Sequence, residues 1–267
     1  MSVTTETPAV RRSGVRWPGV RRSALARLTI AEFRLSLREP MLVFWGFAFP
    51  LLLLVVFGSI PGFKQTHAGW GGLSILDTYV PILILMMLAL LSYSAMPTVL
   101  AGYREQGILR RLQTTPAGAL RVLAAQLLVN FGSAAVMVAL ILVVARLAFA
   151  VPFPLAPGIW VVIALLTAAG TLAVGLFIAA VAPTGRAASV IGSVIFYPLM
   201  FFSGLYLPIP SMPPVLQHIC HATPLGAAWE SFQDAALGHW PPALALLTMV
   251  AYPVAFGLAA ARLFRWE

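Results

Sequence analysis

The chain has 267 residues, 60% of them hydrophobic and only 9% charged, and its 17 basic residues outnumber 8 acidic ones to give a formal charge of +9. A mean hydropathy of +0.93, carried by long charge-free runs, lies outside the usage of soluble globular proteins and excludes that class. Runs such as LLLLVV and ILILMMLALL are apolar on every face instead of alternating, which excludes a transmembrane β-barrel and leaves an all-α, polytopic membrane protein.

Residues 1–22 are polar, rich in arginine and broken by proline and glycine, which predicts a disordered basic tail. No short apolar segment with an A-x-A site follows, so a cleaved signal peptide is not expected. Residues 23–40 predict an interfacial helix that Ser23 caps and Pro40 ends. Arg27, Arg34 and Arg38 form a stripe on it, and Ile30, Phe33 and Leu37 an adjoining apolar face, suited to a membrane surface.

Residues 41–267 predict six spans, at 41–60, 78–101, 122–145, 159–181, 187–206 and 243–261, each near the roughly 20 helical residues that a bilayer core of ~30 Å requires. Pro50, Pro81, Pro97, Pro198 and Pro253 fall inside them and predict kinks. Fifteen of the basic residues lie before the first span, between the second and third or the fourth and fifth, or after the last, and only Lys64 and Arg146 remain for the opposite side. The positive-inside rule then places both termini in the cytoplasm, with Trp45 and Trp266 near the inner interface and Trp160 and Trp240 near the outer one. Arginines at span ends fix orientation and meet anionic lipid head groups, so membrane lipids are expected partners and nucleic acid is not.

Chemistry-bearing motifs are few. A G-x-x-x-x-G-K-[ST] loop is lacking, so nucleotide chemistry must belong to a partner. No span carries Asp or Glu at mid-depth, which argues against an ion relay, and Asp77 at an outer boundary suits a solvated or capping role. Gln126 and Asn130, one turn apart, are the most polar intramembrane pair. Hydrogen bonding across helices is their first expectation, and a place on a substrate pathway is the second for Asn130. His218, Cys220 and His221, with His239, lack the partners that would complete a metal set, so no metal is expected and their role stays open. One cysteine allows no intrachain disulfide.

From Arg186 to Glu230 the chain runs 43 residues without a charge, too long for one span, while parity forbids a second crossing. Residues 207–240 therefore predict a re-entrant hairpin of two short helices on the extracellular side, with Thr223 capping and Pro224 opening the second. Gly192, Ser193, Phe196, Tyr197, Phe201, Phe202, Ser203 and Tyr206, in the fifth span and its extension, are the candidates for an outward substrate pathway, helix packing being the alternative for each.

Charge is concentrated once more between the second and third spans, in YREQGILRRLQTTP at 103–116. Together with the basic helix before the first span, six spans and the proline-rich hairpin, this stretch resembles the membrane subunits of type-2 ABC exporters, the ABC-2 family that includes daunorubicin-resistance-type permeases. Ile108 stands where threonine or another small polar residue is common. The resemblance implies a non-enzymatic permease in the plasma membrane of a bacterium. It also implies a coupling helix of Tyr103, Arg104, Glu105, Gly107, Ile108, Leu109, Arg110, Arg111 and Leu112, ended by Pro116, that docks on a separate P-loop ABC ATPase. That partner would bind the ATP and Mg, in two copies, beside a second copy of the permease or a similar one. Ile108, Leu109 and Leu112 would form an apolar ridge, with Arg104, Glu105 and Arg111 at its rim. The implied function is ATP-driven export of amphipathic small molecules such as a drug, an antibiotic or a lipid-like compound. Polysaccharide or glycolipid export is the near alternative, and an ATP-independent channel or membrane scaffold is the distant one.

Overall fold

A computed structural model describes residues 26, 29–35, 38, 40, 44–66, 72–108, 111 and 119–263. The expected tail, 1–22, and the capping Ser23 lie outside them. The described residues form helices and no strand, with one isolated bridge between Thr66 and Ser74. Residues 29–35 are helical (α1). Five further helices are long and apolar enough to cross a membrane: Ile75–Glu105 (α3), Arg121–Phe149 (α4), Pro157–Val181 (α5), Gly185–Phe202 (α6) and Ala243–Leu263 (α9). Phe44–Ser59 (α2) is apolar but shorter. Between α6 and α9 stand two short helices, Pro214–Ala222 (α7) and Pro224–Ala236 (α8).

The centre of the fold is α3, whose stretch from Val80 to Ala89 is buried on every face. That burial explains why ILILMMLALL shows no periodicity. Ser74 and Asp77 close a reciprocal capping box at its start, with bonds of 2.8 and 3.1 Å, which is how Asp77 is used at this boundary. Around α3 lie α2, α4, α5, α6 and α8, and α9 packs along α5, with Pro253 3.6 Å from where a Cβ on Gly170 would sit. The outer faces of α4, α6 and α9 expose Leu128, Val136, Val194, Leu247 and Val254 among others, a display that water would penalise and lipid tails would not.

Two of the five prolines follow π turns. Phe44–Ala48 is a π turn before Pro50, and Leu91–Ala95 is one before Pro97. A proline lacks the N–H that would bond residue i−4, and its ring collides with that carbonyl, so widening the preceding turn relieves the collision. The two turns touch: a Cβ on Gly46 would lie 3.4 Å from Leu91.

The second span is longer than 78–101. It runs to Glu105, so Tyr103, Arg104 and Glu105 form its last turn. Gly107 ends it, in the left-handed region at φ +67°, where a glycine costs least. Open space surrounds Gly107, and the amide of Arg111 bonds back to its carbonyl at 3.2 Å, starting a new turn. The expected coupling helix is thus divided at Gly107, within the chain, into a helix end and a separate segment. The helix of the fifth expected span, α6, covers Gly185–Phe202 instead of 187–206, and Gly204, at φ +88°, turns the chain toward α7.

Candidate functional site

Several helix ends meet on one side of the bundle: the end of α3, the start of α4, the α5–α6 turn and α1. Among the described residues Arg34, Arg104, Arg121 and Arg186 belong to these elements, whereas Lys64 and Arg146 lie at the opposite end, near the rings of Phe149 and Phe153.

Glu32 of α1 is buried. The phenol of Tyr103 donates to its two oxygens at 3.1 and 2.9 Å, and the amide of Gln126 on α4 donates at 2.7 Å. Burial raises the Glu32 carboxyl above the usual carboxylate range, against the lowering effect of those donors. One side chain thereby ties α1 to both α3 and α4. Asn130 lies one turn above Gln126, buried, with its amide donating to the Gln126 carbonyl at 2.8 Å, so its bond stays within α4. Gln126, Asn130 and Ser133 line a narrow notch against Leu91, Met96 and Val99 of α3.

On the adjacent face the same helix end grips the α5–α6 turn. The guanidinium of Arg104 donates to the carbonyls of Ala180, at 3.3 Å in the last turn of α5, and Ala182, just past its end. Glu105 accepts the amide of Gly185 at 3.1 Å, the first residue of α6, and Thr184 caps the same helix through the amide of Ala187. A carboxylate beside free N–H groups at the positive end of a helix is a favourable placement. Gly185 permits the approach, for a Cβ there would lie 3.0 Å from the Thr98 carbonyl and 3.6 Å from Gly102. Ile108 is half-buried and Arg111 exposed beyond this grip. Leu109, Arg110, Leu112 and Pro116 lie outside the described residues.

A family model for the ABC-2 type transporter matches residues 23–237, most of the chain, from before α1 to just past α8. The chain belongs to the ABC-2 type transporter family. A search of curated proteins gave no match. This ABC-2 protein is a multi-pass membrane protein and the permease component of a transporter, not itself an enzyme, and membership implies an ABC ATPase partner.

The candidate pathway residues of the permease divide by orientation. Gly192 and Ser203 face inward, Gly192 against the Tyr93 backbone and Ser203 bonding the Met200 carbonyl at 2.9 Å. Tyr197 and Tyr206 are about 60% exposed. Ser193, Phe196, Phe201 and Phe202 are half-buried beside them, with Phe196 edge-on to Tyr197 and Phe201 edge-on to Phe202. At the far end, Thr223 caps α8 and accepts the Gly226 amide at 3.2 Å, and His221 bonds Glu230 at 2.6 Å, joining α7 to α8. His218 instead bonds the Pro214 carbonyl at 2.6 Å, and Cys220 is buried beside Met212.

Nothing in the sequence alone singles out Glu32: it is an acidic residue within an arginine-rich segment, between Ile30 and Phe33, and both of those apolar residues are exposed.

Proposed function

We propose that this permease is the membrane half of an ATP-driven exporter, assembled as two copies, or one copy with a similar permease, on two ABC ATPase subunits. The observation that supports this best is the double grip of Arg104 and Glu105 on the α5–α6 turn. A load applied by an ATPase to the segment after Gly107 would reach α3 first and pass through those bonds to α5 and α6. Glu32 would carry α1 with it through Tyr103.

In this reading α2 is the sixth crossing. Its 16 residues rise about 24 Å, a little short of the bilayer core, and α1 lies on the cytoplasmic surface at its foot. The pair α7–α8 enters the outer leaflet and returns, which puts both termini in the cytoplasm of a bacterium's plasma membrane. Ser193, Tyr197, Phe201 and Tyr206, on the more open side of α6 and its extension, line the route between copies. Rings with few charges suit an amphipathic substrate, a drug, an antibiotic or a lipid-like molecule.

Co-expression with the ABC ATPase of the same exporter tests the assignment. Glu105→Ala combined with Leu109→Asp abolishes substrate-stimulated ATP hydrolysis while the permease still inserts and folds. Unchanged stimulation refutes the coupling role, and failure of any ABC ATPase to co-purify refutes the exporter.

A further inference from the structure

The π turn of α3 does more than make room for Pro97. The Met96 amide bonds back to Leu91, five residues earlier, and Pro97 has no amide hydrogen. The carbonyls of Ser92 and Tyr93 therefore lose the donors that a regular helix would supply. Each points at a glycine of a different helix. A Cβ on Gly175 of α5 would strike the Ser92 carbonyl oxygen and stand 2.9 Å from both its carbon and the tip of Met96. A Cβ on Gly192 of α6 would strike the Tyr93 carbonyl oxygen and stand 2.7 Å from its carbon. Released carbonyls against glycine Cα–H groups form the close backbone contact that recurs at helix crossings. One turn from Gly175, the Ser92 hydroxyl donates to Thr171 at 3.2 Å. Below, the Thr98 hydroxyl returns to the Ser94 carbonyl at 2.6 Å, and Gly185 meets Thr98.

We propose that the π turn is a joint that fastens α3 to α5 and α6 at mid-membrane, so that these three helices move as one block, with Gly175, Gly192 and Pro97 as its positioning residues. With the grip of Arg104 and Glu105 at the cytoplasmic end, the block is held at two levels, which prevents α3 from pivoting about its end. The consequence for transport rests on the coupling role proposed above. A push on α3 that lacked the upper joint would rock its end without displacing the outer half of α6, where the candidate pathway residues lie.

The test uses the whole permease, first alone in detergent and then with its ATPase in vesicles. Nitroxides at Leu73, half-buried just before α3, and Leu207, exposed just past α6, in a Cys220→Ala background report the distance between the ends of α3 and α6 that lie away from the Arg104 and Glu105 grip. The expected distribution is narrow in the parent protein and at least twofold broader in Gly175→Ala and Gly192→Ala. It stays unchanged in Gly257→Ala, where a methyl meets open space. Pro97→Ala adds no bulk and returns an amide hydrogen to the Tyr93 carbonyl, so it must broaden the distribution too. In the complex the three joint variants lose substrate stimulation of ATP hydrolysis about tenfold while still binding the ATPase. Distributions as narrow as the parent's in all three overturn the joint, and broadened distributions with intact stimulation overturn the block motion. If the parent permease neither binds nor stimulates an ATPase, the coupling role falls by itself, and the label distances still decide the joint.

Discussion

Replacing Tyr103 by phenylalanine removes one hydroxyl and leaves the ring that packs at the end of α3. The hydroxyl serves both oxygens of a buried carboxyl, at 2.9 and 3.1 Å, and a hydrogen bond to a charged group contributes about 1.5–3 kcal/mol. Because Gln126 keeps its own bond at 2.7 Å, the lower end applies. For a chain of this size ~1.5 kcal/mol is a fall of about 3–6 °C in melting temperature. Gln126→Leu costs a similar amount. The double variant departs from the sum by about 0.5–1 kcal/mol, because the two donors share one carboxyl and their effects couple.

The sign of the pH dependence follows from the same site. Burial raises the Glu32 pKa in the folded permease above its ordinary 4.5, so the folded state binds the proton more tightly than the unfolded one. Stability from this group is full below pH 4.5 and declines as pH rises through the folded pKa. Glu32→Gln keeps an acceptor for Tyr103 and removes the ionisation, so its melting temperature should fall less than the parent's between pH 4.5 and 7. Thermal unfolding in detergent at those two pH values reads both effects. An unchanged melting temperature for Tyr103→Phe, together with identical pH profiles for the parent and Glu32→Gln, refutes the tie between α1 and α3.

Gly226→Ala forces a methyl against the Cys220 carbonyl oxygen and to 2.9 Å from the Phe202 carbonyl, neither of which is a flexible side-chain end. It should lower stability by about 1–3 kcal/mol, with Gly257→Ala as the neutral control in the same unfolding assay. Sidedness is read by cysteine labelling after Cys220→Ala: Arg110→Cys should react with an impermeant maleimide only in permeabilised cells and Lys64→Cys in intact ones, and the reverse pattern inverts the topology. Phe201→Ala should change which substrates are exported more than it changes the amount of folded protein. A lower yield with an unchanged substrate profile assigns the ring to packing.

Much of the helical layout was legible because lipid imposes length and apolarity on a span. Runs of leucine, isoleucine and valine reveal themselves without any knowledge of neighbours, and arginine clusters mark the ends. What stayed hidden depended on a second element. Gly107 in the sequence suits close approach to a partner, and only the backbone, at φ +67° with open space around it, shows it to be a left-handed turn. Arg104 and Glu105 look like exposed rim charges until the α5–α6 turn is placed against them, because their partners are main-chain atoms of Ala180, Ala182 and Gly185, which have no residue signature. Thr223 and Pro224, by contrast, were legible as a helix start because cap chemistry is local.

Among the described residues, two sets of polar contacts meet at the last turn of α3. Arg104 and Glu105 hold α5 and α6 through main-chain atoms, directly and without an intervening side chain. Tyr103 reaches α1 and α4 through the single carboxyl of Glu32. Consecutive residues on a helix point about 100° apart, so residues 103–105 can address these neighbours at once only at the tip of α3. The π turn inserts one residue into the helical count below Leu90, and a regular helix would rotate the whole tip by one residue's angle. Tyr103 would then leave Glu32, and Glu105 would leave Gly185. The π turn before Pro97 therefore also sets which side chains face which partner at the end of α3, about 15 Å away along the helix at 1.5 Å per residue.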